Sequence, residues 1–284
     1  MKLLKRVLVF CLIVGVVGGI WGIWPHFAPL WRGYEGAREI KKKEQKIEVP
    51  LKFAVMADVH SDWENFRQAL EKAKGDVGFE GFVVVVGDLT TIGKKSELLE
   101  AKKILDESGL KYYIIPGNHD VWYDRRLNKD FFSEVFGKTY GSFKKDNFKY
   151  ILVNNGDYQN GLEGLKGTEG QKKWLEEETE ECLRITCLIF MHIPLNHPNS
   201  AYVMGQDNPA VATQAAQLVK LLVKNKAALV FAGHLHFSSS YELEGLETTI
   251  AGAITSERNF QSPKFLEVSV SGDTLLKKEI FLVD

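Results

Sequence analysis

Five short apolar runs in this chain each stop at a cluster of residues able to hold a proton or a metal, and this repeat limits the possible folds more than anything else in the sequence. The runs are Phe53 to Met56 before Asp58 and His60, Phe82 to Val86 before Gly87 and Asp88, Tyr112 to Ile115 before Gly117, Asn118, His119 and Asp120, Cys187 to Met191 before His192, and Ala228 to Phe231 before Gly233, His234, Leu235 and His236. Each reads as a buried strand ending in a loop. Five of the seven histidines fall in these clusters.

Strands and helices alternate around them: a strand over 51–57, a helical pattern over 62–74, a strand over 82–87, a helix over 96–108, a strand over 111–116 and a helix around 129–136. That order is α/β. Thr139 to Phe143 and Phe148 to Asn154 then flank the polar turn of Lys144, Lys145, Asp146 and Asn147 as a hairpin would. Thr168 to Cys182 is helical in pattern, with Thr168 placed to cap it, Gln171 placed for a capping box, and Trp174, Leu175 and Cys182 on its apolar face. A strand over 186–191, a helix over about 210–225 and a strand over 227–232 restore the alternation. The last fifty residues, with Leu266, Val268 and Val270 and then Leu275, Ile280 and Leu282, read as closing antiparallel strands.

A chain of 284 residues that is 45% apolar and 26% charged can bury one full-sized core, expected here from residue 47 to 284. Ahead of it, Val7 to Trp24 is an uncharged run of eighteen residues, just long enough as a helix to span a bilayer core. Lys2, Lys5 and Arg6 precede it, and Trp21, Trp24 and Trp31 stand where interfacial aromatics are expected. Residues 1–24 are therefore read as a cytoplasmic tip and membrane anchor, and 25–46 as a basic juxtamembrane stalk. A cleaved signal peptide is the competing reading; the run is long for one, and no small-x-small site precedes Pro25 and Pro29. Of the basic residues after the span only Arg32 and Arg38 lie close to it, so the large domain is expected outside the cytoplasm.

Nine Lys or Arg against three Glu give residues 1–46 a charge of +6 and leave −7 on the remainder, which opposes binding of nucleic acid. Three cysteines imply no disulfide framework. An outside location permits a Cys182–Cys187 bridge, while two separate thiols is the plainer reading.

In an extended chain residues i and i+2 point the same way, so Asp58-x-His60 and His234-x-His236 each aim two donors at one place, and loops at the carboxyl ends of neighbouring strands supply that place. Taken singly the clusters mean little. Gly87 and Asp88 make an ordinary turn after a strand, Asn118 and Asp120 are turn formers, and His192 alone reads as a hydrogen-bonded core histidine. Turn chemistry does not account for five such clusters, each at the same end of its strand. The stretch from Pro194 to Pro209, with His197, Asn199, Tyr202, Met204 and Gln206, reads either as a lid beside the site or as a plain surface connection.

Together these residues resemble the calcineurin-like metallophosphoesterase superfamily, whose blocks run D-x-H, G-D, G-N-H-[DE], H and G-H-x-H in that order, here across about 51–236. The resemblance implies a mixed α/β (α+β) fold, a four-layer αββα sandwich of two mixed sheets flanked by helices, preceded in this chain by one N-terminal transmembrane helix. It implies two divalent metal ions (Mn, Fe or Zn), one held by Asp58, His60 and His236 and the other by Asn118, His192 and His234, with Asp88 bridging both. His119 is then the general acid, oriented by Asp120. In one departure, Asp88 is followed by Leu89, Thr90 and Thr91 where the family continues to a further acidic or amide residue. That predicts altered hydrogen bonding around the site and no lost metal.

The implied activity is hydrolysis of phosphate mono- or diesters by a hydroxide formed between the cations, on a phosphorylated small molecule or on a lipid or envelope substrate near the bilayer. The alternative from another class is a noncatalytic scaffold on the same fold that binds a protein partner. Its mark is missing ligands, and all seven positions are filled.

Overall fold

In the computed structural model, which describes residues 50–282 apart from 79, 128, 164–167 and 273, the strands β1 (Leu51–Met56), β2 (Phe82–Val86) and β3 (Tyr112–Ile115) pair in parallel. Parallel neighbours need crossover connections. Helix α1 (Trp63–Val77) supplies the first and α2 (Lys95–Ser108) the second. Both begin at local caps: the Asp62 carboxylate accepts from the Asn65 N–H at 3.3 Å, and Glu97 reaches back to the Lys94 N–H at 2.9 Å. Short helices α3 (Trp122–Leu127) and α4 (Phe131–Phe136) follow β3.

The chain then builds a second sheet. Strands β4 (Gly141–Lys145) and β5 (Phe148–Leu152) form the expected hairpin. Helix α5 (Gln171–Glu180), β6 (Thr186–Phe190), α6 (Pro209–Lys224) and β7 (Leu229–Ala232) follow, with β5, β6 and β7 parallel. Strands β8 (Ser238–Leu243) and β9 (Leu246–Ala251) close its edge, and β10 (Lys264–Ser271) and β11 (Thr274–Phe281) return to the first sheet. The strand orders are β11-β10-β1-β2-β3 and β4-β5-β6-β7-β9-β8.

Side chains alternate across a strand, so each sheet has two apolar faces to cover. Phe53, Val55, Phe82 and Val84 of the first sheet meet Tyr150, Leu188, Phe190 and Phe231 of the second. Phe53 lies flat on Phe82, centroids 5.1 Å apart, and edge-on to Tyr150, Phe190 and Phe231. The other face of the first sheet, with Met56, Val83 and Val85, is covered by Phe66 and Leu70 of α1 and by Ile104 and Leu105 of α2. The other face of the second, with Ile151, Ile189 and Val230, is covered by Leu175 of α5 and by Val211, Leu218 and Leu222 of α6. Helix, sheet, sheet and helix make the expected four layers. At about 1.5–3 kcal/mol per buried large apolar side chain, these contacts make the strand ends a rigid platform.

Several elements differ from expectation. The helix expected from Thr168 starts at Gln171, behind Gly170 at φ 76°, and ends at Glu180. Gln171 makes no capping box. Its buried amide accepts from the Asn154 N–H at 2.7 Å and donates to the carbonyls of Asn154 and Leu162 at 2.8 and 2.6 Å, tying the helix to the end of β5. A 3-10 turn over Glu181–Leu183 then brings Cys182 to a Cα–Cα distance of 5.3 Å from Cys187, and the two form a disulfide instead of separate thiols. Strand β9 runs parallel to β7, so the last fifty residues are not purely antiparallel. Helix α3 has no counterpart among the predicted elements. The anchor over Val7–Trp24 and the stalk over 25–46 lie outside the described residues, and among those described no helix is long and apolar enough to cross a membrane.

Candidate metal centre

Asp58 and His60 follow β1, Asp88 follows β2, Asn118, His119 and Asp120 follow β3, His192 follows β6, and His234 and His236 follow β7. All nine stand at carboxyl ends of strands, the end at which parallel sheets carry their sites. Backbone hydrogen bonds lash the loops together. The N–H groups of Val59 and His60 donate to the Asp88 carbonyl at 2.8 and 3.0 Å, and that of Gly233 donates to the His192 carbonyl at 3.0 Å. The His119 N–H donates to Asp88 Oδ1 at 2.8 Å and the His234 N–H to Asp58 Oδ2 at 2.9 Å. Asp58, His60, Asp88, His234 and His236 adopt left-handed backbone, with φ of 54°, 47°, 54°, 70° and 55°. Such conformations cost of order 1–3 kcal/mol each and persist only where surroundings enforce them. Here the enforced backbone is what points the donors inward.

Three overlapping donor groups result among the described residues, one of them His60, Asp88 and His119. Asp58, His60 and His236 present atoms within 4.8 Å of one another, and so do Asp88, His192 and His234. His60 Nε2 lies 2.9 Å from His236 Nε2 and 3.6 Å from Asp88 Oδ2. His192 Nε2 lies 3.1 Å from both Asp88 Oδ2 and Asn118 Oδ1. Asp88 Oδ2 therefore faces both groups, and Asn118 completes the second. The His192 Nδ1 bonds to the Val86 carbonyl at 2.8 Å, which fixes the proton there and turns Nε2 inward.

The donor set fits cations. Two imidazole nitrogens 2.9 Å apart cannot both carry protons toward each other, and the buried His60 Nδ1 has no hydrogen-bond partner among the described residues. Among the described residues, only histidines form ion pairs with Asp58 and Asp88. Carboxylate, amide and imidazole donors in this mixture suit divalent cations.

Burial sets the protonation of these groups. It pushes the Asp58 carboxyl up to about 8 against the pull of His192, and it holds His60 and His234 down to about 3. For His192 burial again opposes charge, yet the adjacent Asp88 carboxylate raises this imidazole to about 9. Asp88 itself is buried, and His192 still keeps it well below the usual carboxylate range. His60 and His234 are thus neutral, the form that binds metal. A proton on His192 Nε2 sits between Asp88 and Asn118, where a cation would take its place.

His119 and Asp120 separate in role. The His119 Nδ1 bonds to the Thr91 carbonyl at 2.6 Å, leaving Nε2 for the site, and its ring meets that of His60 at 4.6 Å. Asp120 does not orient it. Its buried carboxylate accepts from the N–H groups of Leu89, Thr90 and Gly117 at 3.2, 2.9 and 2.9 Å and from the Thr90 hydroxyl at 2.8 Å. Asp120 thereby locks the loop after β2 to the loop after β3. Of the Leu89-Thr90-Thr91 departure, the Thr90 hydroxyl is the side-chain contact to Asp120, while Thr91 meets His119 through its backbone carbonyl.

Sequence reasoning passed over three features. Trp122, 45% exposed, meets the His119 ring in a T-shaped contact with centroids 5.3 Å apart. The loop between β9 and β10 docks on the centre, the Thr255 N–H donating to the Asp58 carbonyl at 3.0 Å. Arg258 in that loop adopts left-handed backbone, with φ 54°. Nothing in the sequence signals these, since they depend on loop packing. In the Pro194–Pro209 stretch Met204 is buried and Tyr202 exposed, while His197 turns to Ser239 at 3.2 Å and to Tyr241, away from the donor groups.

The fold and this constellation are those of a phosphoesterase. The calcineurin-like phosphoesterase family profile matches residues 51–238, and the chain belongs to that family. The serine/threonine-protein phosphatases CPPED1 of Pongo abelii and Homo sapiens are similar at 25% and 24% identity over 188 residues, 61% of this chain. The match spans 59% of the length of those relatives. Among solved structures, a dimetal phosphatase from Danio rerio superposes with a TM-score of 0.61 at 16% identity, covering 83% of this chain and 98% of that one. GAP50, described as the anchor in the inner membrane complex of Plasmodium, gives 0.58 at 13% identity, covering 83% and 85%. At these identities the superpositions establish the fold alone. The family match and the phosphatase relatives support a metal-dependent phosphoester hydrolase.

Proposed function

We propose that the chain is a membrane-anchored hydrolase of phosphate mono- or diesters that works with two divalent cations. The observation that carries the reading is the complete, converging donor set centred on Asp88 Oδ2. Asp58, His60 and His236 would hold one cation and Asn118, His192 and His234 the other, with the Asp88 carboxylate facing both sets. When bound, the cations supply Lewis acidity toward phosphoryl oxygens and acidify a water. The rest falls to the chain's own groups. The Thr91 carbonyl holds the His119 Nδ1–H, so that Nε2 can pass a proton to the departing oxygen. Asp120 keeps both loops in register around it.

The Val7–Trp24 run and its basic and aromatic flanks support anchoring, with the domain outside the cytoplasm. The Cys182–Cys187 disulfide suits that oxidising side. An anchored site of this kind reaches lipid or envelope phosphates first. A noncatalytic scaffold that binds a protein partner is the alternative, and the ungapped donor set favours the enzyme.

The test is to purify the full chain from membranes, count its metals, and assay nitrophenyl phosphate, bis-nitrophenyl phosphate and a lipid pyrophosphate. Two cations per chain and chelator-sensitive hydrolysis are expected. A fully metallated sample that cleaves no phosphate bond sinks the reading.

A further inference from the structure

Trp122 is the first residue of α3 and leaves 45% of its surface in water, although an indole is among the side chains that gain most from burial. Its backbone holds it there. Val121 before it is buried, the Trp122 N–H donates to the His119 carbonyl at 3.4 Å, and the Tyr123 N–H donates to the Ile92 carbonyl at 3.1 Å. Ile92 follows Thr91, whose carbonyl bonds the His119 Nδ1 at 2.6 Å. The same stretch of the loop after β2 therefore fixes both the imidazole and the indole.

His119 connects the donor cluster to the outside. Its ring meets the buried His60 ring with centroids 4.6 Å apart, and it meets the half-exposed Trp122 ring at 5.3 Å and an interplanar angle of 73°. A path from the cluster to solvent past His119 thus runs along the indole. In ester hydrolysis the P–O bond to the alcohol breaks, water supplies the oxygen that joins phosphorus, and the departing oxygen leaves with the proton of His119 Nε2. That transfer needs the departing oxygen within about 2.6–3.2 Å of Nε2, so the body of the alcohol lies next to the imidazole and within reach of Trp122. Arg126, one turn further along α3, sets its guanidinium carbon 5.9 Å from the indole centroid and steadies the ring.

We propose that Trp122 is a platform for the leaving group and selects phosphoesters whose departing alcohol carries an aromatic ring. The inference rests on the hydrolase reading and narrows its substrate class. An aromatic leaving group can pack offset or edge-on against the indole, as ring pairs with centroids about 4.5–7 Å apart do, and both partners then lose contact with water. A small aliphatic alcohol leaves the indole wet.

The experiment compares full-chain wild type, Trp122→Ala and Trp122→Phe. It measures metal content and thermal midpoint, the affinities for phenylphosphonate and methylphosphonate by calorimetry, and kcat/KM for phenyl phosphate and for an alkyl phosphate whose alcohol is as acidic as phenol. Matching the alcohols keeps the demand on His119 equal. Wild type is expected to bind phenylphosphonate about three- to tenfold more tightly than methylphosphonate and to favour phenyl phosphate by a similar factor. Trp122→Ala is expected to erase both preferences with metals and midpoint retained, because the side chain is half exposed, and Trp122→Phe to restore them in part. Equal losses on both esters mean that the indole serves only to hold His119, and they overturn the proposal, as does a wild type without a phenyl preference. A wild type that cleaves neither ester overturns the hydrolase reading instead. The phosphonate isotherms still decide the indole, because a phenyl preference kept in Trp122→Ala removes it.

Discussion

His60 and His236 meet Nε2 to Nε2 at 2.9 Å, one from the loop after β1 and the other from the loop after β7, so a pair of rings from different sheets forms one half of the centre. At that distance one neutral ring donates its Nε2–H to the other, and a cation would replace that proton and take the lone pairs of both nitrogens. His236→Ala is therefore expected to lower the metal content from two per chain to one and kcat by more than about a hundredfold, beyond the usual cost of losing an outer partner of a ligand. Metal analysis with turnover on the same sample checks this. Two retained cations with full turnover mean that the pair is not a ligand pair.

The protons now held in the cluster give a second expectation. Burial raises Asp58 to about 8, and the Asp88 carboxylate raises His192 to about 9 despite burial, so near pH 7 each keeps a proton that a cation has to displace. Loading is expected to release about two protons per chain at pH 7 and fewer as pH rises through 8 and 9, with metal affinity increasing over the same window. Calorimetry in buffers of different ionisation enthalpy reads the number directly. Affinity that is flat between pH 6 and 9 contradicts this protonation scheme.

His119 and Asp120 are adjacent in sequence and separable by experiment. His119→Ala is expected to keep both cations and to lose about 10²- to 10⁴-fold in kcat on esters with poor leaving groups, and much less on a nitrophenyl ester whose leaving oxygen needs no proton. Asp120→Ala strands buried N–H groups of Leu89, Thr90 and Gly117, each costing about 1–3 kcal/mol if left unpaired. The expected signature is a large fall in the thermal midpoint of the chelated protein. An Asp120→Ala variant as stable as wild type, with only the leaving-group dependence altered, returns Asp120 to the acid.

The contrast between those two residues shows what a linear reading can see. Runs such as Phe82–Val86 announce a buried strand because their burial is continuous, and the site donors announce themselves because they follow such runs. The layers and the division of donors around Asp88 were implied by the resemblance to the calcineurin-like family and not by that pattern. What stayed hidden is set by distance along the chain. Asp120 meets Thr90 across 30 positions, Thr255 meets Asp58 across the whole domain, and no local pattern encodes either. Left-handed backbone at Asp58, His60, Asp88, His234 and His236 was equally invisible, because it is imposed by neighbouring loops against local preference. The Cys182–Cys187 bridge needed the 3-10 turn that ends α5, a boundary that the helical pattern overran.

Gly117 gives the sharpest steric expectation. The loops after β2 and β3 approach so closely that a Cβ on Gly117 would lie 2.1 Å from Asp88 Oδ1 and 2.4 Å from the Asp88 backbone nitrogen. The far side offers no relief, because Gly87 faces the Gly117 nitrogen at a distance where its own Cβ would be 2.6 Å away. Gly117→Ala must therefore push Asp88 off its position, and Asp88 Oδ2 is the atom both donor groups share. The variant is expected to lose about 1–3 kcal/mol of stability from overpacking and to bind neither cation tightly. Gly75→Ala is the control: it lies in α1 with nothing within 4 Å of the added methyl, and it should gain about 0.5–1 kcal/mol from helix preference while keeping two metals and full turnover. Melting curves with and without chelator separate the two effects. In Gly117→Ala the metal-dependent rise in midpoint should vanish, and a variant that keeps that rise shows that the shared carboxylate does not hold the pair together.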